Sequence, residues 1–485
     1  MNTIFKNYIG GQWVAASTGG LSEDRNPANT TEVLGLFQSS GQEDVEQAVE
    51  AASAAFPAWA AMPAPRRGQI LFRAAQIIES RSEEMARTLT QEEGKTLAES
   101  RGEVLRAVEL FRYYAGEGRR LNGETFPSEA PKTFLYTFRV PLGVVAIVTP
   151  WNFPLAIPAW KMAPALIAGN TVVFKPASLT PLIALRLVEC LVEAGLPAGV
   201  LNLVTGSGGA VGDALVSHPK VAAVSFTGSC EVGLAVGRMA ASHTNRIQLE
   251  MGGKNPLVVL DDADLDLAVD IAAVGGFGLT GQACTAGSRV IVTEKVADRF
   301  TALLVERAKS IRVGNGLEED VRMGPAVSDN QLNTDLDYIR IGKEEGAELL
   351  CGGRRLEGGP YDRGYFIEPT VFANVHPSMR IAQEEIFGPI IAVLRAKDFN
   401  EAVAIANGVR FGLMAGICTR SLDKAFAFAE AAQAGVIKVN KPTTGLELQA
   451  PFGGIKNSSS GTYKEQGKAA IDFYTTTKTV YVDYR

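Results

Sequence analysis

The spacing of apolar positions changes character along the chain. Over residues 43–117 they recur at intervals of three and four, which predicts helices over 43–56, 65–82, 82–94 and 97–118. From Val140 onward short, mostly apolar runs take over: Val144–Val148, Thr171–Phe174, Val200–Val204 and Ala222–Phe226. Helical stretches separate them, among them Leu182–Ala194 and a shorter one near Val211–Val216. A second series opens at Pro256–Leu260 and continues through Arg289–Val292, Ile390–Leu394 and Ala415–Cys418. Strands alternating with helices at this spacing predict an α/β protein with two doubly wound parallel sheets, divided near the Gly-Gly turn at 252–255. Thr133–Arg139 and Lys478–Tyr484 alternate in β fashion outside both series. They are expected to pair and to form an extension that joins subunits, a plain hairpin lid being the alternative.

Composition narrows the class. A chain of 485 residues is too long for one ordinary core. Its formal net charge of −6 and the lack of a long basic run argue against nucleic acid or an anionic membrane as partner. The N-terminus has no apolar signal-peptide core and no window reaches the length of a membrane span, so a cytoplasmic location is expected. Five scattered cysteines without C-x-x-C spacing argue against a disulfide framework or a zinc site, and no metal is expected. With three histidines in the chain, a nucleophile must be activated by something other than a histidine beside it in sequence.

Candidate chemistry begins at Gly281-Gln282-Ala283-Cys284-Thr285-Ala286. A lone cysteine is ordinarily a buried small hydrophobe. Here small neighbours leave the sulfur of Cys284 unshielded, and Leu249-Glu250-Met251-Gly252-Gly253-Lys254-Asn255 offers a carboxylate in a second Gly-rich segment. A thiolate nucleophile with a base for a later attack by water suits acyl transfer through a thioester. Two Gly-rich turns, Gly206–Gly212 and Gly228–Gly233, each follow a strand and lead into a helix, where backbone N–H groups favour a pyrophosphate. Pro150-Trp151-Asn152-Phe153-Pro154 follows another strand, where Asn152 would cap the next helix.

These segments resemble the signature motifs of the aldehyde dehydrogenase superfamily, and the match repeats from Trp13 to the C-terminus. The resemblance implies an NAD(P)-dependent oxidation of an aldehyde to a carboxylic acid through a thiohemiacetal and a thioester. It makes Cys284 the nucleophile, Glu250 the base that activates water, and Asn152 the side-chain half of an oxyanion hole. Lys161 matches a lysine that supports the asparagine and the glutamate. For the dinucleotide it implies Thr149, Pro150 and Trp151 after one strand, and Phe226, Thr227, Gly228, Ser229 and Gly233 after another. Ser229 and its helix take the phosphates, Gly208 the adenosine side, and Lys175 the adenosine ribose. Met251, Glu385 and Phe387 complete this set, with Glu385 on the nicotinamide ribose. Ser178 stands where NAD-preferring members carry glutamate; lacking that carboxylate and adding a donor, it implies that NADP is preferred over NAD. The implied partition is a dinucleotide-binding domain in 1–120 and 142–252, a catalytic domain in 253–460, and an oligomerisation extension in 121–141 and 461–485. A homodimer or homotetramer is expected.

Within the superfamily the chain looks most like α-ketoglutaric semialdehyde (2,5-dioxopentanoate) dehydrogenases, which implies oxidation of that semialdehyde to 2-oxoglutarate. Succinate semialdehyde, or a bulkier sugar-derived or aromatic aldehyde, is the alternative. Relatives acting on succinate semialdehyde commonly hold its carboxylate with two arginines; this chain has Trp160 and Gly278 at those positions. Phe153, Trp160, Gly278, Thr285 and Phe452 are the expected substrate contacts. Two further classes stand as alternatives. A coenzyme A-acylating dehydrogenase generally lacks the base that Glu250 supplies, and a catalytically silent structural protein would not keep every reactive position filled.

Overall fold

The first apolar series forms one seven-stranded sheet. In the computed structural model, which describes residues 2–243, 246–459, 461 and 463–485, five of its strands run parallel. Their order is Arg246–Glu250, Val221–Thr227, Val144–Val148, Thr171–Lys175 and Leu201–Leu203. The N-terminal hairpin of Asn7–Ile9 and Gln12–Val14 adds an antiparallel edge beside Leu201–Leu203. The chain winds from Val144–Val148 outward to Leu201–Leu203, then returns to lay Val221–Thr227 on the other side of its starting strand. The winding direction therefore reverses between Val144–Val148 and Val221–Thr227. A crevice at the carboxyl ends of strands flanking such a reversal is where open α/β sheets bind ligands.

Helices pack this sheet on both faces. Ala156–Ala168 is buried along its whole length, as expected of a helix that is apolar all round. Leu97–Glu117 packs against it within the same apolar cluster. That helix begins with a capping box: Thr96 Oγ1 accepts from the N–H of Glu99 at 3.3 Å while the Glu99 carboxylate accepts from the N–H of Thr96 at 2.9 Å. Its orientation matters below, because one of its faces walls the site.

The second series also builds a seven-stranded sheet, ordered Glu348–Cys351, Thr370–Ala373, Ile390–Ala396, Arg289–Thr293, Pro256–Val259, Met414–Cys418 and Val436–Val439. All pairings are parallel except that of Glu348–Cys351. Four of these strands follow from the apolar runs; Glu348–Cys351, Thr370–Ala373 and Val436–Val439 do not. The two outlying alternating segments do pair. Thr133–Pro141 and Thr475–Asp483 lie antiparallel in continuous register, with Thr125–Phe126 at the edge. The sequence pattern departs from the structure at one Gly-rich turn, where Gly208–Gly212 forms a π-helical turn before a single α-turn, Asp213–Val216. No described helix is long and apolar enough to cross a membrane, and all five cysteines are free thiols.

Candidate active site

Cys284 sits after a break in the backbone. The helix Leu265–Phe277 ends at Gly278, and Leu279, Thr280 and Gly281 then adopt φ of 53°, 56° and 69°. Left-handed conformations cost a side-chain-bearing residue about 1–2 kcal/mol each, so Leu279 and Thr280 must be held there. The Leu279 N–H donates to the Glu99 carboxylate at 2.7 Å, and Thr280 Oγ1 donates to the Gly324 carbonyl at 3.1 Å. Gly281 is required on two counts: its φ, and a Cβ there would lie 2.1 Å from the Gly388 carbonyl oxygen.

The turn that follows is fixed from below. Asn255 Nδ2 donates to the carbonyls of Cys284 and Ala286, both at 2.8 Å, and its Oδ1 accepts from the Met414 N–H at 2.9 Å. Thr443 Oγ1 holds the Thr285 carbonyl at 2.7 Å. Cys284 opens into a cavity of about 450 Å³. Phe153, Trp160, Gly278, Thr285 and Phe452, the five expected substrate contacts, all line it. Burial, followed by the charges of Glu385, Glu250 and Glu465, pushes the Cys284 thiol well up.

Asn152 is fixed on both sides. Its Nδ2 donates to the Gln282 carbonyl at 3.0 Å, which leaves the second amide N–H of Asn152 for another acceptor. Its own carbonyl accepts from Lys95 Nζ at 2.6 Å, and Lys95 is paired with Glu103 at 2.7 Å. Glu103 in turn accepts from the N–H groups of Leu155 and Ala156, both at 2.9 Å, at the start of the buried helix. Glu250 ends the strand Arg246–Glu250 but does not line the Cys284 cavity. Its carboxylate accepts from the Gly454 N–H at 3.2 Å and from Ser459 Oγ at 3.3 Å. Burial, and next the charge of Glu465, raises it well above the usual carboxylate range.

Lys161 departs from expectation. It hydrogen-bonds neither Asn152 nor Glu250; its Nζ reaches Ser225 Oγ at 2.9 Å and pairs with Glu465. Its influence on Glu250 is through charge alone, opposing that of Glu465. The reason is tertiary: the C-terminal segment, bridged at Phe452 and Glu465, brings a second carboxylate that pairs with Lys161 and acts by charge on Glu250.

Several of the residues expected to hold a dinucleotide lie at the reversal of the first sheet. Thr149 follows Val144–Val148 and Thr227 ends Val221–Thr227, and the hydroxyls of both are buried without a hydrogen-bond partner. Two orphan hydroxyls at adjacent strand ends fit a polar ligand in this crevice. Pro150 and Trp151 follow Thr149, and the Trp151 ring meets Phe387 edge-on at 5.3 Å. Phe387 is itself held at φ 65°. Ser229 caps the helix Cys230–Ala241, accepting from the Val232 N–H at 3.3 Å, with Gly228 immediately before it. Gly233 lets that helix lie close on Phe226 and Met251, since a Cβ there would fall 2.5 Å from the Met251 sulfur. Glu385 accepts from the Gly253 N–H at 2.8 Å, and desolvation raises its carboxyl to about 7.

Lys175 ends its strand with Nζ on the Pro176 carbonyl at 2.8 Å, and burial lowers its ammonium to about 8. A desolvated lysine of this kind is stabilised by an incoming anion. Ser178 is exposed, but the hydroxyl expected to donate to the cofactor already donates to the Gly206 carbonyl at 3.0 Å. Gly208 starts the π-helical turn, with open space where a side chain would stand. A second cavity of about 420 Å³ joins Ser178, Gly206 and Ser207 at this edge of the sheet.

Sequence reasoning missed Asn255, Gln282, Thr443, Lys95, Glu103 and Glu465 as parts of the site. Asn255 and Gln282 lie inside the motifs carrying Glu250 and Cys284, so proximity was a signal; the others had none.

The chain is similar to known proteins along nearly its whole length. A profile of the aldehyde dehydrogenase family matches residues 13–480. The chain is 50% identical over 478 residues to the α-ketoglutaric semialdehyde dehydrogenase of Bacillus subtilis, covering 99% of this chain and 98% of that protein. It is 49% identical to the 2,5-dioxopentanoate dehydrogenase of Saccharolobus solfataricus, covering 98% and 99%. Among solved structures, betaine aldehyde dehydrogenase from Staphylococcus aureus in complex with NAD+ superposes with a TM-score of 0.96 at 38% identity, covering 99% of this chain and 94% of that one. With the anchored cysteine, the crevice at the sheet reversal and this full-length match, the chain belongs to the aldehyde dehydrogenase family and is an NAD(P)-using oxidoreductase of aldehydes.

Proposed function

We propose that the chain oxidises α-ketoglutaric semialdehyde to 2-oxoglutarate and prefers NADP. The observation that carries the chemistry is the anchoring of Cys284 in the cavity, with the Asn152 amide fixed beside it on Gln282. Cys284 Sγ gives up its proton to solvent and, as thiolate, forms a bond to the aldehyde carbon as the carbonyl π bond opens. The remaining Asn152 N–H, with the Cys284 backbone N–H, holds the resulting oxyanion of the thiohemiacetal. The nicotinamide of a bound dinucleotide supplies the hydride acceptor. The acyl group then stays on Cys284 as a thioester until Glu250 takes a proton from the attacking water. Glu250 must leave Gly454 and Ser459 to do so, and its raised proton affinity suits it to that task. Lys161 is a positioning residue acting through Glu465.

The unpaired hydroxyls of Thr149 and Thr227 support a dinucleotide in the first crevice, with Ser229 at its phosphates and Glu385 at the nicotinamide ribose. Thr149, Pro150, Trp151, Phe226, Gly228, Gly233, Met251 and Phe387 would form its walls. Gly208, Lys175 and Ser178 would receive the adenosine end. Lys175 has no carboxylate at 178 to compete with, which favours a 2′-phosphate. Residues 1–120 with 142–252 form the dinucleotide-binding domain, which also walls the aldehyde cavity through Phe153 and Trp160. Residues 253–460 form the catalytic domain that carries Cys284, and the extension 121–141 with 461–485 meets a second copy of the chain. Exposed Phe126, Phe134, Phe138 and Tyr481 on that extension support the last assignment.

The substrate reading rests on relatives that match along nearly the whole chain. Initial rates of NADPH and NADH formation over α-ketoglutaric semialdehyde, succinate semialdehyde, glyceraldehyde and benzaldehyde test it. The expected result is a kcat/KM advantage of about 100-fold or more, ~2.7 kcal/mol, for the first aldehyde with NADP. Preference for an uncharged aldehyde would overturn the substrate. Glu250→Gln should give a burst of reduced cofactor and almost no turnover; absence of the burst would remove the deacylation role. Added coenzyme A should leave the wild-type rate unchanged.

A further inference from the structure

The cavity that receives the aldehyde contains a cation whose position the motifs did not flag. On the helix Leu97–Glu117, residues 99, 103 and 106 share one face by helical spacing, and all three line the Cys284 cavity. Glu103 is committed: it pairs with Lys95 and accepts from two backbone N–H groups. Glu99 accepts from the N–H groups of Thr96 and Leu279 and from Thr96 Oγ1. Arg106 is different. Its Nη1 donates to the Leu446 carbonyl at 2.7 Å and its Nη2 to Gln466 Oε1 at 2.6 Å, both neutral acceptors, and it makes no ion pair among the described residues. Leu446 lines the same cavity, so the guanidinium stands at the cavity wall.

A guanidinium has five N–H donors, and two are in use. The position is partly desolvated, and burial holds the group below its ordinary value while exposed Glu447 nearby opposes this. A half-buried cation with donors to spare and no carboxylate bound to it is stabilised by an anion that enters the cavity. A second observation points the same way. The indole N–H of Trp160 is buried without a hydrogen-bond partner, and Trp160 lines the cavity too. By the resemblance, Trp160 and Gly278 stand where relatives acting on succinate semialdehyde commonly carry arginine, so a substrate carboxylate needs another partner here.

We propose that Arg106 binds the carboxylate of the ω-oxo acid substrate, with the Trp160 indole N–H as a second donor, while the aldehyde end lies at Cys284. The proposal rests on the substrate reading above and names the residue that makes it selective. Arg106 is offered as a substrate-binding residue with no part in the bond-making steps.

The test is the ratio of kcat/KM for α-ketoglutaric semialdehyde to that for pentanal, an uncharged aldehyde of the same carbon count. Wild type should show a ratio of about 100 or more. Arg106→Met should collapse it by about 100-fold, mostly through KM. Arg106→Lys, which keeps the charge but loses the fork, should lower it about tenfold. Trp160→Phe should lower it about fivefold. If Arg106→Met does not accumulate as folded protein, Arg106→Lys carries the test alone. A wild-type ratio near one would remove the substrate reading and this inference with it. A large wild-type ratio that Arg106→Met or Arg106→Lys leaves intact would overturn the inference alone, as would an equal fall in both rates.

Discussion

Replacing Asn255 by leucine removes three hydrogen bonds from beneath Cys284 while keeping the branched outline of the side chain. The lost contacts are those to the carbonyls of Cys284 and Ala286 and from the N–H of Met414. Asn255 is 1% exposed, so water cannot replace them without rearrangement. A neutral hydrogen bond contributes about 1 kcal/mol net, and each buried partner left unsatisfied costs about 1–3 kcal/mol. The folded state should therefore lose at least ~3 kcal/mol. The same change frees the turn that aims Cys284, and a displacement of about an ångström at a reacting atom costs on the order of 100-fold in rate. Urea unfolding should show an earlier midpoint, and kcat/KM should fall about 100-fold with any aldehyde the enzyme accepts. A variant with the wild-type midpoint and turnover within threefold would refute the argument that Asn255 holds the nucleophile in place.

Asn152→Ala should lower kcat by about 100-fold, the ~3 kcal/mol expected of one oxyanion donor, with little change in KM; a change confined to KM would remove the oxyanion role. Glu465→Gln should extend activity to lower pH. The charge of Glu465 raises the Glu250 carboxyl, so its removal lowers that pKa, and the base stays ionised further down as pH falls. The pH profile of thioester hydrolysis should show its acid limb displaced downward, and an upward displacement would contradict this coupling. Ser178→Glu should shift the NADP/NAD ratio of kcat/KM toward NAD by about tenfold or more, since a carboxylate beside Lys175 repels a 2′-phosphate; an unchanged ratio would place cofactor selection elsewhere.

Much of the fold was legible because it depends on local repetition. Val144–Val148 and Pro256–Val259 are short apolar runs buried on both faces, and their helices follow at regular spacing. Arg246–Glu250 was harder to foresee, because two of its five residues are charged and one of its three buried residues is a glutamate. It forms a strand because Val221–Thr227 offers it a parallel edge, and that pairing carries Glu250 to the sheet end. The π-helical turn at Gly208–Gly212 was equally hidden, since a glycine-rich segment carries little preference among helical turns. Cys284 and Glu250 could be singled out as candidates from their Gly-rich segments, and Asn152 from the family resemblance.

The sequence by itself determined the α/β class and the two sheets and singled out Cys284 and the Gly-rich turns, because periodicity and motif are properties of neighbouring residues. Tertiary structure alone decided which partners those residues have. Lys161 meets Glu465, Asn255 joins Cys284 to the strand Met414–Cys418, and Glu250 turns onto Gly454. It also brought Arg106, from a helix far from Cys284 in sequence, to the wall of the aldehyde cavity. Such contacts follow from how two sheets and their helices pack, and hydrogen bonds between distant segments exist only once that packing brings donor and acceptor within reach.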